Sequence, residues 1–291
     1  MSIISLENEY LKVGINSHGA SLVSLYSVKH NKELLWQGDK ESWLGQDICV
    51  FPFVARLKDG YYTVDNKAYK MDIHGFIKDS ELEILSREEN TLSLIKKYDM
   101  NTLAVYPYMF DFIVSFTLID SSIKVTYTVV NRDTTKIYYG IGGHPGFNLT
   151  YTKEDNSIDI SSNSLSFDKC YDLEKITLDK SNYFVVGNEE YAKLEKITLN
   201  KELFSNDAII LKNNFFNVTL TRGDNIQISM HSHSDYMAFW THKKNGEYLC
   251  IEPWWSLPDM STPNRELSNK FSIKSTDIGM QNSYSYTICI E

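Results

Sequence analysis

Apolar and polar residues alternate along much of this chain, and this alternation limits its fold more than any other feature. Residues Ser115–Ile119 alternate in this way, a short polar segment at Asp120–Ser122 follows, and Ile123–Val130 resumes the alternation. Successive side chains of a β-strand point to opposite faces, so a period of two indicates strands rather than helices. The stretch therefore predicts an antiparallel hairpin.

Similar short runs, separated by turn-forming residues, occur from one end of the chain to the other. They are Leu82–Leu85, Leu92–Lys96, Asn217–Thr221, Ile226–His231 and Tyr284–Ile290. Helical periodicity is weak, and no repeat or Gly/Ser linker divides the chain. We predict an all-β protein with a single domain, residues 1–291, folded as a large, mostly antiparallel β-sandwich with an open ligand cleft. The polar segment Asp172–Glu202 is predicted to be an excursion from the sheet.

The charge balance limits the partners of this protein. Its 38 Asp and Glu outnumber its 29 Lys and Arg, which gives a net charge of −9 over 291 residues. Nucleic acid and anionic membranes attract basic surfaces, so neither is predicted as a partner, and a neutral or cationic ligand fits better. No window approaches the ~20 apolar residues of a membrane span, and residues 1–10 lack a signal-peptide pattern. We expect a cytoplasmic protein, either a monomer or a homodimer.

Neither the cysteines nor the histidines follow a recognised metal or disulfide pattern. No two of the four cysteines form a C-x-x-C pair, so free thiols are expected. His231 and His233 share one face of a predicted strand, but no third ligand lies near them in sequence. No metal site is predicted.

The segment Gly142–Asn148 is the first candidate for chemistry, because it places His144 between glycines and before Pro145. An imidazole titrates near neutral pH and can give or take a proton. Glycine lets a ligand approach the main chain, and the proline favours an extended conformation at His144. A turn containing a structural histidine would have the same local sequence.

The segment Tyr248–Trp255 is the second candidate, because Glu252 ends an apolar run and is followed by Pro253 and two tryptophans, Trp254 and Trp255. We expect this carboxylate to be half-buried against aromatic surface, which raises its pKa toward the range of a useful base. The face of Trp254 can stack on the apolar face of a ligand such as a sugar. The alternative is a structural ion pair between Glu252 and an Arg or Lys.

Three further polar residues stand in apolar or turn surroundings. Arg56 is enclosed by apolar residues and needs a partner, which a structural salt bridge would also provide. His74 precedes a glycine, and Asp207 precedes an apolar strand. Taken singly, the histidine is typical of a structural residue and the aspartate of a turn or cap.

The chain resembles the aldose 1-epimerase or galactose mutarotase family in five segments. In chain order they are Ala55-Arg56, His74-Gly75-Phe76, Gly143–Phe147, Asp207 and Cys250–Trp254. The likeness covers most of the chain and is most specific around His144 and Glu252. It is closer to the bacterial mutarotase-related branch than to the best-known enzymes. One departure is Ala55, where mutarotases often carry an asparagine before the arginine.

The resemblance implies a β-sandwich with an open sugar cleft and anomer interconversion without a cofactor. It implies that Glu252 takes the proton of the C1 hydroxyl while His144 protonates the ring oxygen. By the same likeness, His74 hydrogen-bonds near the ring oxygen, and Arg56 and Asp207 hold hydroxyl groups. A carboxylate close to His144 would favour its protonated form.

Three functions are compatible with these residues. The first is an aldose 1-epimerase for an aldohexose such as galactose or glucose. The second is a hexose-6-phosphate 1-epimerase, which needs further cations near Arg56, for which Arg265 and Lys243-Lys244 are the candidates. The third is a carbohydrate-binding protein without turnover.

Overall fold

Two antiparallel β-sheets form most of the molecule, as the alternation predicts. The computed structural model describes residues 2–154, 157–181, 183–242 and 246–291. The larger sheet has 15 strands and the next has four. Apolar side chains from both sheets belong to one core cluster. The predicted β-sandwich is therefore confirmed.

The strands, in chain order, are β1 Ile3–Glu7, β2 Leu11–Asn16, β3 Ser21–Ser27, β4 Lys32–Glu33, β5 Cys49–Val50, β6 Tyr61–Val64, β7 Lys67–Lys70, β8 Glu83–Arg87, β9 Thr91–Lys97, β10 Phe110–Ile119, β11 Ser122–Asn131, β12 Ile137–Tyr139, β13 Gly142–Gly143, β14 Gly146–Asn148, β15 Thr152–Glu154, β16 Ser157–Asp159, β17 Ser164–Leu178, β18 Val185–Thr198, β19 Ile209–Lys212, β20 Asn217–Thr221, β21 Gln227–Ser232, β22 Tyr236–Trp240, β23 Tyr248–Trp254, β24 Lys274–Thr276 and β25 Gln281–Ile290. The α-helix is Met100–Val105, and the 3₁₀ helices are Lys58–Gly60, Ile77–Asp79, Lys201–Phe204 and Leu267–Asn269.

The predicted hairpin is formed by β10 and β11. The two strands pair antiparallel from Phe110 opposite Asn131 to Ile119 opposite Ser122. Burial alternates along both strands, with Phe116 and Val125 among the side chains in the core. The other predicted runs coincide with β8, β9, β20, β21 and β25, with ends that differ by a few residues.

The prediction for Asp172–Glu202 is wrong. Residues of this segment complete β17 and form β18, which pair with each other as a long hairpin. Strand β17 also pairs with β19 and β20, so it lies within the large sheet rather than outside it. The polar composition arises because many side chains of β18 are exposed.

One end of the large sheet positions the residues singled out by the sequence. Its strand order there is β5, β13, β23, β22, β19 and β17. His144 lies between β13 and β14, and both of these strands pair with β23, which carries Glu252. The sheet thus brings together segments that are more than 100 residues apart in sequence.

Two further observations concern the cysteines and the helices. All four cysteines are free thiols, as expected. Within the described ranges, no helix has the length and apolar character needed to cross a bilayer.

Candidate active site

All six residues predicted to form the site line one cavity of about 160 Å³. They are Arg56, His74, His144, Asp207, Glu252 and Trp254. Their convergence is a result of the sheet order, because each comes from a different strand end or connection, except Glu252 and Trp254, which share β23.

Strand register sets His144 opposite Glu252. Gly142 pairs with Trp254 and Gly146 with Cys250, so His144, midway along the connection, faces Glu252 on β23. His144 Nε2 and Glu252 Oε2 are 3.2 Å apart, and the two side chains are only 8% and 1% exposed. Apart from this contact, Glu252 Oε2 has no hydrogen-bond partner within the described part of the chain, and His144 Nδ1 has none there either. Buried polar atoms without partners are rare, and here they mark a site that a polar ligand can complete.

Burial disfavours charge on both members of this pair. Removal from water, followed by repulsion from Asp207, raises the pKa of Glu252 well above its usual range. Burial also lowers the pKa of His144 to about 4. The carboxylate expected near His144 is present, but the low dielectric outweighs its effect on the imidazole. The pair therefore favours a neutral carboxylic acid beside a neutral imidazole.

His74 is fixed by hydrogen bonds to the segment that carries Arg56. Its ring Nδ1 accepts from the backbone N–H of Ala55 at 3.3 Å, and the backbone N–H of His74 donates to the carbonyl of Ala55 at 3.0 Å. Burial, and then repulsion from His144 and Arg56, lowers the pKa of His74. Because Nδ1 accepts, the neutral ring carries its proton on Nε2 and can donate it to a ligand.

Gly75 makes this arrangement possible. Its φ is +74°, and a Cβ at this position would lie 2.1 Å from the carbonyl oxygen of Phe51. His74 itself has a φ of +64°, and Ala55 has +48°. Such conformations are uncommon for residues with a Cβ and concentrate at functional sites.

Arg56 and Asp207 form an ion pair at the cavity wall. Arg56 Nη1 is 3.0 Å from Asp207 Oδ2, with the side chains 36% and 15% exposed. The guanidinium also lies 5.2 Å from the ring centre of Tyr183. This Arg56 is the single lysine or arginine among the described residues that line the cavity.

Aromatic rings enclose His144 and form the opposite wall. Trp43 and Trp240 line the cavity, and their ring centres lie 5.0 and 6.0 Å from that of His144. The indole N–H of Trp254 is buried and interacts with the carboxyl of Glu252, whose pKa it lowers against the larger effect of burial. This wall offers apolar faces for stacking and one indole donor beside Glu252.

Sequence reasoning missed Trp43 and Tyr183 as lining residues. Trp43 belongs to a loop without a distinctive motif, and its position depends on a hydrogen bond from the indole N–H of Trp36 to its carbonyl at 2.9 Å. Tyr183 follows β17, in the segment whose place in the sheet was predicted wrongly. The alternation of apolar and polar residues along β17 was the signal that could have placed this strand in the sheet and Tyr183 near the cavity.

Asp47 is a third residue that the sequence did not single out. It is 4% exposed, and its carboxylate accepts from the backbone N–H groups of His144 at 3.4 Å and Leu22 at 3.3 Å. Burial raises its pKa to about 6, against the opposing effect of these hydrogen bonds. Asp47 thus accepts a hydrogen bond from the backbone N–H of His144, which lies just beyond the short strand β13 and, within the described ranges, has no partner in a neighbouring strand.

One group of side chains at the site has the donor atoms of a metal ligand set. His144, Cys250 and Glu252 are all buried, and one donor atom from each lies within 4.8 Å of the others. The acid–imidazole pair, Glu252 and His144, can transfer protons without a metal, so the capacity of these three residues to bind a metal is separate from that proton transfer.

Known proteins resemble the chain over nearly its full length. The chromosomal LacX protein of Lactococcus lactis subsp. lactis is 28% identical over 270 residues, which cover 87% of this chain and 88% of LacX. The structure of a galactose mutarotase related enzyme from Lactobacillus acidophilus matches with a TM-score of 0.93 at 26% identity, over 100% of this chain and 97% of that one. A galactose mutarotase-like protein from Lactobacillus casei shares the fold, with a TM-score of 0.93 at 24% identity over the whole of both chains.

The family model described as aldose 1-epimerase matches residues 2–270, more than half of the chain. This match agrees with the sheet order and with the acid–imidazole pair at the cavity. The chain therefore belongs to the aldose 1-epimerase family.

Proposed function

We propose that this protein catalyses the interconversion of the α and β anomers of a neutral aldohexose such as galactose or glucose. The observation that carries the proposal is the pairing of Glu252 and His144. The two groups are 3.2 Å apart at one cavity, and beyond this contact Glu252 Oε2 and His144 Nδ1 have no hydrogen-bond partner among the described residues. An acid and a base at this separation can reach the two oxygens bonded to the anomeric carbon of one sugar.

The reaction needs one proton removed and one delivered. Glu252, as carboxylate, accepts the proton of the C1 hydroxyl while the bond between C1 and the ring oxygen breaks. His144, as imidazolium, gives its proton to the ring oxygen, and the product is the open-chain aldehyde. Rotation about the bond between C1 and C2 followed by the reverse steps closes the other anomer. A general acid or base contributes about 10²–10⁴ in rate.

The resting pair holds the single proton that this reaction requires. A carboxylic acid beside an imidazole and a carboxylate beside an imidazolium differ only in the place of one proton. Moving it across the 3.2 Å between Glu252 and His144 generates the reactive form without exchange with solvent. The sugar's hydroxyl and ring oxygen then hydrogen-bond to the charged groups, which offsets part of their burial cost.

The remaining groups hold the sugar. His74 carries a proton on Nε2 and can donate it near the ring oxygen, and Arg56 and Asp207 can bind hydroxyl groups as donor and acceptor. Trp254 offers its indole N–H and an apolar face.

The charges around the cavity favour a neutral sugar over a phosphorylated one. Arg56 is already paired with Asp207. Arg265 pairs with Asp59 and stacks on Tyr61, with 4.4 Å between the guanidinium and the ring centre, so it is committed elsewhere. Lys243 and Lys244 lie outside the described residues. A phosphate dianion needs two or more free cationic donors, which the described cavity wall does not offer.

Polarimetry on freshly dissolved α-galactose, α-glucose and α-glucose 6-phosphate tests the proposal. We expect the wild type to accelerate mutarotation of at least one neutral sugar. Glu252→Gln and His144→Asn, which preserve side-chain size approximately, are expected to lose about 10²–10⁴ in kcat. Glu190→Gln, a change at an exposed carboxylate of β18, is the matched control and is expected to retain the wild-type rate.

The outcomes separate the three functions. Acceleration confined to the phosphorylated sugar would identify a hexose-6-phosphate 1-epimerase. Calorimetric binding of a sugar without acceleration of any of them would identify a carbohydrate-binding protein. Either result would overturn the proposal.

A further inference from the structure

Three metal-binding side chains meet beneath the sugar cavity. Cys250 and Glu252 are alternate residues of β23 and therefore point to the same face of the sheet. His144 reaches this face from the connection between β13 and β14. All three residues are buried, with exposed fractions of 0% for Cys250, 1% for Glu252 and 6% for His144.

The spacing of the donor atoms is close to that of a tetrahedral zinc site. Zinc binds nitrogen and carboxylate oxygen at about 2.0–2.2 Å, so two such ligands in a tetrahedral site lie about 3.3–3.6 Å apart. His144 Nε2 and Glu252 Oε2 are 3.2 Å apart. The Cys250 sulfur lies within 4.8 Å of one donor atom of each partner, and a side-chain movement of about 1 Å brings it to bonding distance.

The types of donor select the metal. An imidazole, a thiolate and a carboxylate suit Zn²⁺, whereas Mg²⁺ and Ca²⁺ prefer sets made of oxygen. Apart from its 3.2 Å contact with His144 Nε2, Glu252 Oε2 is buried without a hydrogen-bond partner among the described groups, so a cation between these two atoms displaces only the proton that they share. Three protein ligands leave the fourth position for a water molecule on the cavity side.

We propose that His144, Cys250 and Glu252 bind Zn²⁺ and that the bound ion blocks turnover at the sugar cavity. The thiol of Cys250 and the acid–imidazole pair release their protons to solvent when the ion binds. The inhibitory part of this proposal rests on the proposed function, but metal binding itself does not. Inhibition follows because the ion occupies the lone pairs with which Glu252 and His144 would accept and transfer protons. It also occupies the space that the anomeric carbon needs.

Cobalt absorption tests the site without any measurement of activity. Co²⁺ replaces Zn²⁺ at such sites, and a bound thiolate gives a charge-transfer band in the near ultraviolet. The metal is added to the purified full-length protein in a buffer free of chelators and thiols. We expect this band in the wild type and its disappearance when Zn²⁺ is added in excess. A wild-type protein without the band would overturn the proposal.

Matched cysteine variants identify the cysteine whose thiolate binds the metal. Cys250→Ser is expected to lose the band, and Cys250→Ala serves if the serine variant does not fold, as judged by near-ultraviolet circular dichroism. Cys49→Ser changes another fully buried cysteine, one whose thiol donates to the carbonyl of Ala20 instead, and is expected to keep the band. A band that survives the loss of the Cys250 thiol would show binding by another cysteine and would overturn the proposal.

Inhibition is measured by polarimetry over a range of Zn²⁺ concentrations, each variant being compared with its own metal-free rate. We expect competition between Zn²⁺ and sugar in the wild type. Removal of the Cys250 thiol is expected to raise the half-inhibitory Zn²⁺ concentration by about 100-fold, since loss of even an outer-shell partner changes metal affinity by about 10–100-fold. Equal inhibition of wild type and the Cys250 variant would contradict the proposal. A cobalt band in a protein without mutarotase activity would instead refute the proposed function and leave the metal site standing.

Discussion

Asp47 holds the backbone of His144 through one oxygen and that of Leu22 through the other. Asp47→Ala leaves both N–H groups buried without this acceptor, and one unsatisfied donor costs about 1–3 kcal/mol. We expect Asp47→Ala to lower the free energy of unfolding by at least that amount and to lower kcat as His144 loses its position. Asp47→Asn keeps an acceptor oxygen and is the matched variant.

Urea unfolding and polarimetry on these two variants check the role of Asp47. The alanine variant is expected to fall below the asparagine variant in both stability and kcat. Equal kcat in wild type and Asp47→Ala would show that the contact does not position His144.

Individual side chains were predictable where the local sequence limits their surroundings. His144 between glycines and Glu252 before Pro253 and Trp254 are such cases, and both line the cavity. Their distance and protonation were not predictable, because the register of β13, β14 and β23 sets the first and burial sets the second. Trp43 was missed because its local sequence carries no comparable signal.

The turn between β20 and β21 ties the two sheets together through Asp224. Its carboxylate pairs with Arg222 beside it and with Lys32 on β4 of the smaller sheet. Burial alone would raise the pKa of Asp224, but the hydrogen bonds from Arg222 and Lys32 outweigh it and lower the pKa to about 2. The side chain is 24% exposed, so solvent screens this pairing only in part.

A depressed pKa makes this contribution depend on pH. Relative to an unfolded value of 3.8, a folded value of about 2 corresponds to about 2 kcal/mol of stability. This stability is fully present above pH ~4 and is lost as the pH falls through ~2. We therefore expect Asp224→Asn to reduce the free energy of unfolding by about 2 kcal/mol at pH 7 and by much less near pH 2.

Urea unfolding at several pH values measures this difference. Asp172→Asn is the control, because its pair with Lys193 is exposed on both sides and such pairs contribute about 0–1 kcal/mol. A loss from Asp224→Asn that stayed constant from pH 7 to pH 2 would contradict the ionic explanation.

Strands were predictable where one face is buried and the other exposed, as in β10 and β11, since burial then repeats with a period of two. Strand β23 is buried along its whole length, so alternation could not reveal which face carries Glu252. The long hairpin of β17 and β18 was misjudged for the opposite reason, because so much of β18 is exposed that its composition is typical of a loop.

The whole chain is proposed to fold as a single domain over residues 1–291. One apolar cluster includes Ile4 near the start and Ile290 near the end, and β25 pairs with both β11 and β21. Segments that depend on a shared core unfold together. We expect one urea transition, coincident by far-ultraviolet circular dichroism and tryptophan fluorescence. Two separated transitions would show independent domains.

The arrangement of the cavity is likewise a property of the complete sheet. Its residues come from segments near positions 56, 74, 144, 207 and 252, and no local pattern specifies that these meet. The family likeness predicted the convergence, whereas periodicity alone predicted only the strands. We expect the sugar preference of the proposed reaction to depend on Trp43, Tyr183 and the other residues that line the cavity.

Exchange between anomers at equilibrium is the most direct test of the pairing of Glu252 and His144. Proton NMR exchange spectroscopy on equilibrated galactose or glucose detects transfer between the α and β signals of the anomeric proton. With the wild type we expect exchange cross-peaks that grow with protein concentration and that Glu252→Gln abolishes. Cross-peaks no stronger than in buffer for either sugar, or equally strong with Glu252→Gln, would contradict the assignment of this pair as the acid and base.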